Sequence, residues 1–474
     1  EKATKVTIAQ GVDVRTFDPN EDTRSFEVFR NVFDNLLARD QDLKLVPGLA
    51  ESWSNIDPTT WEFKIRQGVK FHDGTPLTAK DVEFTWSHVL DPNVKSRIYS
   101  FISTVDHVQA VDDFTVRLVT KTAFPALPTI VDYVFIVPAE TYKAMGPEKF
   151  AVAPVGTGAY KFVEWIKDEH FSFERNDDYW RGKASITNAE FRPISEDATR
   201  VAALQAGEVD ISTLIPITNV PTIRADSKLD IRSVRSLFTI FVGMNTFKAP
   251  FTDVRVRQAL NYAVDVDSLV KNLLDGHAYP LGQICAPAVF GYNPDVKPYP
   301  YDPEKAKSLL AEAGFPDGFS TTLDTPSGQY LQDVEMSQAI AGQLAKVGVK
   351  VEVKAAEFNE YFDRWLAKKI DGLYFLGNTA TTMDVDGVLG SHFDSKRRGL
   401  YYNSPESDDL IHQGQMEFDV AKRQQIYAQE QVYLHDQAPW IFLYNQENIF
   451  GVAKSLEWKP NADDRIWVYE MKRT

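Results

Sequence analysis

From Ala198 onward the chain repeats one step, a helix that ends in glycine or alanine and turns into a strand. "ATRVAALQAGEVDIST" closes a helix at Gly207 and enters a short strand. "DVEMSQAIAGQLAKVGVKVEV" sets Met336, Ile340, Leu344 and Val347 on one helical face, then passes Gly348 into alternating residues. "AKRQQIYAQEQVYLHDQAPWIFLY" takes the same step again. Between them, "YDPEKAKSLLAEAG" offers Asp302 as cap, Pro303 at the first helical position and Gly314 just past the end. "PFTDVRVRQALNYAVDVDSLVKNLLDG" predicts one helix from Thr252 that stops at Gly276, and "FTIFVGMNT" a strand ending at Asn245. Alternation of this kind requires an α/β fold, because each strand is followed by a helix that must cover the sheet.

The first 180 residues read differently. "KVTIAQ" alternates as a strand, and "TFDPNEDTRS" is a polar loop. "FEVFRNVFDNLL" places Phe26, Phe29, Val32, Phe33, Leu36 and Leu37 on one helical face, predicting a helix. "TWEFKIR" is a half-buried strand, "HDGTP" a turn, and Thr78 with Asp81 a capping pair before a stripe of Val82, Trp86, Val89 and Leu90. "VDHVQAVDDFTVRLVT" and "YVFIVP" read as short strands, and "PVGTGAYKFVEWIKDEHFSFERN" as a turn and strand pair. Gly156-Thr157-Gly158 lacks the third glycine and following helix of a dinucleotide loop, so it is a tight turn. His72 has no second histidine or cysteine at ligand spacing and belongs to the scaffold.

With 474 residues the chain is long enough for about three domains. Its 51 Lys and Arg face 67 Asp and Glu, a formal net charge of −16. That excludes a nucleic-acid partner and adhesion to an anionic membrane, both of which need a basic face. No apolar run reaches the ~20 residues of a membrane span, so no direct membrane insertion is expected. The single cysteine, Cys285, rules out an intramolecular disulfide. The start at Glu1, without Met, reads as a processed product whose signal peptide has been removed. No His-Glu-x-x-His, Gly-x-Ser-x-Gly or Walker loop occurs, and the eight histidines are scattered. Neither a catalytic residue, a metal site nor a cofactor is expected. "MDVDGVLG" begins like a calcium loop but lacks the third ligand before Gly387, and it follows polar residues rather than the buried strand of a phosphatase nucleophile.

"LVPGLAESW", "WEFKIRQGVKFHDGTPLTAKDVEFTW", "PVGTGAYKF", "FTDVRVRQALNYAVD", "YDPEKAKSLLAEAGF" and "QAPWIFLY" follow one another in an order that resembles the extracytoplasmic solute-binding proteins of the dipeptide/oligopeptide family. These are receptors of ATP-binding-cassette importers. The resemblance implies a two-lobed periplasmic-binding-protein fold with a hinge, and an extra α+β domain inserted in the first lobe. Its boundaries would be 1–32, 176–243 and 450–474 for the first lobe's core, 33–175 for the extra domain and 244–449 for the second lobe. It also implies a periplasmic monomer that catalyses nothing and hands a small molecule or short peptide to transmembrane permease subunits.

Peptide-binding members hold the ligand's amine with an Asp in a Gly-Trp-x-x-Asp stretch; here "LYFLGNTATTMDVD" puts Asn378 and Thr381 at those places. The carboxylate-binding Arg of dipeptide receptors falls near Ser327. Losing one partner of a buried charge pair costs roughly 2–5 kcal/mol, so an ordinary dipeptide is disfavoured. Ser327, Asn378, Thr379 and Thr381 suit hydroxyls or amides, and Asp384 and Asp386 could hold an amine from a shifted position. "GNTATTMDVD" is similar to the glutathione-receptor branch, although that branch's Trp is absent. Family position adds Arg24 and Ser25 in a ligand-facing loop, with Arg24 as a clamp for carboxylate or phosphate. It also adds Phe241, Met244 and Asn245 along the hinge, and Arg397 and Tyr401 in "SKRRGLYY". Phe241 and Tyr401 read as packing residues rather than stacking platforms. The expected ligand is peptide-like, glutathione included, or a sugar, opine or sugar phosphate. The rival readings are a metal-dependent phosphatase built on Asp384 and Asp386, and a peptide-binding chaperone on the same fold.

Overall fold

The computed structural model describes residues 4–22 and 25–474. Its contacts group the chain into two units, Glu1–Val234 with Asn448–Thr474, and Arg235–Glu447.

The first unit has two cores. One is built on a sheet in which Lys5–Gln10 lies between Ile211–Ser212 and Asn188–Pro193, all parallel, with His170–Arg175 and Tyr160–Ile166 added antiparallel. Alternation decides which side each residue serves. Val6 and Ile8 join Phe17, Phe171, Phe173 and Phe191 on one face, while Ala9 joins Leu204, Val209 and Ile215 on the other. The second core sits on the antiparallel sheet of Ala50–Asp57, Thr60–Ile65, Thr115–Thr120 and Val105–Asp112. The helix Ala79–Leu90 covers it with Val82, Trp86 and Val89, opposite Phe63, Ile65, Val116 and Leu118. Thr78 and Asp81 form the expected capping box, the Thr78 amide donating to Asp81 at 2.9 Å.

The predicted helix over "FEVFRNVFDNLL" is only one turn, Phe26–Phe29. The rest is a buried strap between the two cores, with Phe29, Val32 and Phe33 in one and Leu36 and Leu37 in the other. Asparagines divert the backbone from helix. Asn31 donates to the carbonyls of Val28 and Ile466 and accepts from the Val468 amide, and Asn35 donates to the carbonyls of Asp132 and Val134. "YVFIVP" is likewise no strand; it meets the strap in a single bridge, Asn35 to Phe135.

The strap also explains the glycines. The Gly158 amide donates to Val32 O at 2.9 Å, and a Cβ at Gly158 would lie 2.5 Å from the Val32 carbonyl carbon. His72 secures the same turn. Its Nε2–H donates to Gly158 O at 2.9 Å, and Nδ1 accepts from the Gly156 amide at 3.3 Å. Only a neutral imidazole does both, and burial pushes its pKa down to about 4. A Gly158→Ala variant is expected to lose about 3 kcal/mol, the upper end for overpacking, read as a lower urea midpoint at unchanged slope.

In the second unit Lys350–Ala356, Ser320–Pro326 and Leu373–Thr379 are parallel neighbours in that order. The strand Leu229–Met244 then pairs antiparallel, Phe238 with Thr379 through Met244 with Leu373. It is longer than "FTIFVGMNT" alone suggested, beginning at Leu229. Trp440–Ala453 follows it in the sheet. The single helix predicted from Thr252 is two, Val254–Ala263 and Val266–Leu273. Asp265 starts the second by accepting from the Ser268 amide at 3.0 Å, while its own amide donates to Gln343. The Asp302 cap and the left-handed Gly314 fall as expected around Pro303–Glu312.

Candidate functional site

In open α/β sheets ligands meet the carboxyl ends of parallel strands. In the second unit these ends are Pro326 and Thr379, and the register brings the chain beyond them together. Leu323 pairs with Leu373 and Asp324 with Tyr374, so Ser327 lies at the level of Gly377. Ser327, Asn378, Thr379 and Thr381 therefore share one edge of the sheet, with Ser327 and Thr381 exposed and the other two half-buried. Asn378 retains a buried amide nitrogen, Nδ2, with no acceptor. An unsatisfied donor of this kind costs about 1–3 kcal/mol, which a ligand oxygen would recover.

Three residues that sequence reasoning missed shape this edge. The carboxylate of Asp333, itself buried, accepts from the amides of Gly328, Gln329 and Tyr330 at 3.1, 2.8 and 3.0 Å and holds the loop after Ser327 in place. Tyr330 lays its ring against Phe238 and Phe375, with centroids 5.6 and 5.9 Å away. Gly377 leaves room for this clamp, since a Cβ there would stand 2.6 Å from the Phe238 ring and 2.8 Å from Tyr330. The only local signal was "GQYLQD", whose Asp333 opens the helix Asp333–Ala345 behind a left-handed Gln332.

Beyond Thr381 the chain enters an ionic network. Asp384 caps the helix Val385–His392, and both its oxygens receive the Arg423 guanidinium, at 2.5 and 2.9 Å. Burial opposes the charge on Arg423, but Asp384 in contact with it outweighs that and holds the proton above its ordinary value. The expectation that Asp384 holds a ligand amine is thus corrected: its charge is already neutralised inside the protein, and Arg423 is further covered by Phe290 and Tyr427. The same pairing removes the free oxygen that a phosphatase nucleophile needs. Asp386 is different. It takes a two-pronged contact from Arg397 at 2.9 and 3.0 Å, and Gln415 Nε2 at 3.0 Å. Arg397 also serves Asp394 at 2.6 Å, so one guanidinium answers two carboxylates. Burial alone would raise Asp394, yet Arg397 and the Lys396 amide keep its pKa low.

The remaining expected residues lie elsewhere. Met244 pairs with Leu373, and the Asn245 amide donates to Gly372 O. Tyr401 OH donates to Trp365 O at 3.0 Å. Met244 and Asn245 are buried at the amino end of the strand Leu373–Thr379, about 15–20 Å from Asn378 at roughly 3.3 Å per residue, and Tyr401 is buried against the helix Phe358–Leu366. Their polar groups are spent on neighbouring backbone, which corrects their place in the site. Phe241 stacks on Trp440 with centroids 3.4 Å apart and is packing, as its sequence context suggested. Ser25, in the first unit, is buried and donates to Asp22 at 2.6 Å, so it too is committed internally. Arg24 lies outside the described residues.

Residues 44–399 match the family model described as bacterial extracellular solute-binding proteins, family 5 middle. The chain is 32% identical to the glutathione-binding protein of Pectobacterium atrosepticum, over 99% of this chain and 94% of that one. It is 30% identical to the glutathione-binding protein of Escherichia coli K12, over 96% and 91%. Among solved structures, HbpA2 of Haemophilus parasuis superposes with a TM-score of 0.92 at 25% identity, covering 99% of this chain and 100% of that one. A family match over most of the sequence and agreement in fold across the whole chain together place this chain in family 5 of the bacterial extracellular solute-binding proteins, as a solute-binding receptor of an ABC importer.

Proposed function

We propose that this receptor captures a glutathione-type peptide in the periplasm and delivers it to the transmembrane permease of its importer, without chemical turnover. The observation that carries the reading is the identity of 30–32% over nearly the full chain to proteins that bind glutathione. The site fits such a ligand. Ser327, Asn378, Thr379 and Thr381 supply short hydrogen-bonding groups for peptide amides and carboxylates, and Asp386, partly accessible, supplies a carboxylate for the γ-glutamyl amine. Among the described residues no helix is long and apolar enough to cross a membrane.

The test is calorimetric titration of ligand-free protein, refolded to remove what co-purifies, with glutathione, dipeptides, tripeptides, opines, sugars and sugar phosphates. Glutathione is expected to bind, and Asn378→Leu and Thr381→Val to weaken it about 10-fold each, the value of a hydrogen bond lost at a buried partner. Asp386→Asn should weaken glutathione more than its amine-blocked analogue. Binding confined to opines or sugars, or broad weak binding of unfolded chains, would overturn the reading.

A further inference from the structure

Arg235 opens the second unit and lies on the strand Leu229–Met244. That strand runs antiparallel to Leu373–Thr379, so the steps back from Phe238 to Arg235 lead past the Thr379 end, toward the edge that holds Asn378 and Thr381. Side chains alternate along a strand. Thr239 is paired with Asn378, and Arg235, four residues before Thr239, projects from the same face of the sheet. The arginine thus shares a face with the unpaired Asn378 amide, about 13 Å further along at roughly 3.3 Å per residue.

The guanidinium is placed but not used. It lies over the Tyr279 ring, 3.9 Å from the centroid. That ring is itself fixed, since its hydroxyl donates to Glu447 Oε1 at 2.5 Å, while His277 Nδ1–H donates to Glu447 Oε2 at 2.8 Å. Glu447 therefore meets the hydroxyl end of the ring rather than the guanidinium. Among the described residues Arg235 makes no hydrogen bond and no ion pair, and its Nε is buried without an acceptor although the residue is only half-buried. A solvated surface arginine keeps all five of its N–H groups in water. Here one is shut away from it.

A guanidinium laid flat on a ring is ordered before a ligand arrives, and its fork matches the two oxygens of a carboxylate. The other arginines near this edge are spent, Arg397 on Asp386 and Asp394, and Arg423 on Asp384. We infer that Arg235, stacked on Tyr279, receives a carboxylate of the captured peptide. The inference takes the ligand from the glutathione reading, and glutathione offers two carboxylates, one on its glycine and one on its γ-glutamyl residue.

The test is calorimetric titration of ligand-free wild type and Arg235→Gln with three probes: glutathione, its glycyl ethyl ester, and the analogue that lacks the γ-glutamyl α-carboxylate. Arg235→Gln is expected to weaken glutathione at least about 30-fold, the lower end for removing one partner of a desolvated charge pair. It should melt within a few degrees of wild type, since no bond inside the protein is lost. One of the two modified probes should bind wild type and variant alike, and that probe identifies the carboxylate. Should Arg235→Gln fold poorly, Arg235→Lys keeps the charge without the fork and should weaken glutathione about 10-fold. Glutathione bound equally by wild type and variant, or all three probes weakened equally, would overturn the inference. The two readings fail separately. A different carboxylate ligand that binds and depends on Arg235 removes glutathione alone, and binding confined to sugars removes both.

Discussion

Asp384→Asn is expected to lower unfolding stability by about 3–5 kcal/mol, the cost of stranding one partner of a buried ion pair. The change is nearly isosteric, and Asn caps helices as well as Asp, so the cap on Val385–His392 survives. What goes is the charge that answers Arg423 across 2.5 and 2.9 Å, in surroundings where Phe290 and Tyr427 exclude water. Urea denaturation measures the loss. The double variant Asp384→Asn with Arg423→Met should recover much of it, since removing both charges relieves the stranded guanidinium. A double variant as unstable as the single one would mean that Asp384 matters for something other than Arg423.

Glu430→Gln should act in the opposite direction and depend on pH. Glu430 is buried on the helix Val420–Gln437; one oxygen accepts from Ser407 Oγ at 2.5 Å and the other has no partner. Burial raises its pKa from 4.5 to about 8. The folded protein therefore binds this proton more tightly than the unfolded chain does. Stability from this group is complete below about pH 4.5 and falls as pH rises toward 8, the reverse of an ordinary salt-bridged carboxylate. Glutamine is fixed in the neutral form. It should change little at pH 4 and gain on the order of 4 kcal/mol at pH 8, from about 1.4 kcal/mol per pH unit over that range. Equal melting curves for the two proteins at pH 8 would show that the carboxylate finds solvation on ionising.

Much of this fold was legible because its determinants are local. Asp302, Pro303 and Gly314 announce a helix within a dozen residues, and Thr78 with Asp81 does the same. The failures share a cause of the other kind. Nothing within "FEVFRNVFDNLL" reveals that Asn31 will bond to Ile466 and Val468, or that Asn35 will bond to Asp132 and Val134. The site shows the same division. Ser327, Asn378 and Thr381 were placed at the anchor positions of the family pattern, and the parallel register puts Ser327 level with Gly377, beside the other two. Met244 and Asn245 were placed by nearness to the hinge, and Tyr401 within "SKRRGLYY", in the family pattern, which does not say which end of a strand a residue will occupy. Asp384 looked available because its partner is 39 residues further on.

The two units differ in how the ribosome delivers them. Arg235–Glu447 emerges as one uninterrupted stretch, whereas the other unit is interrupted by it and waits for Asn448–Thr474. That last segment is not an ornament: it brings Val452 opposite Ile211, Arg465 to Asp132 at 3.3 Å, and Trp458, Ile466 and Met471 into the core. During synthesis the core of Val6, Phe17 and Phe191 stays unfinished until this segment arrives, while the core of Phe63, Trp86 and Val116 needs none of it, so the core begun first is the one closed last.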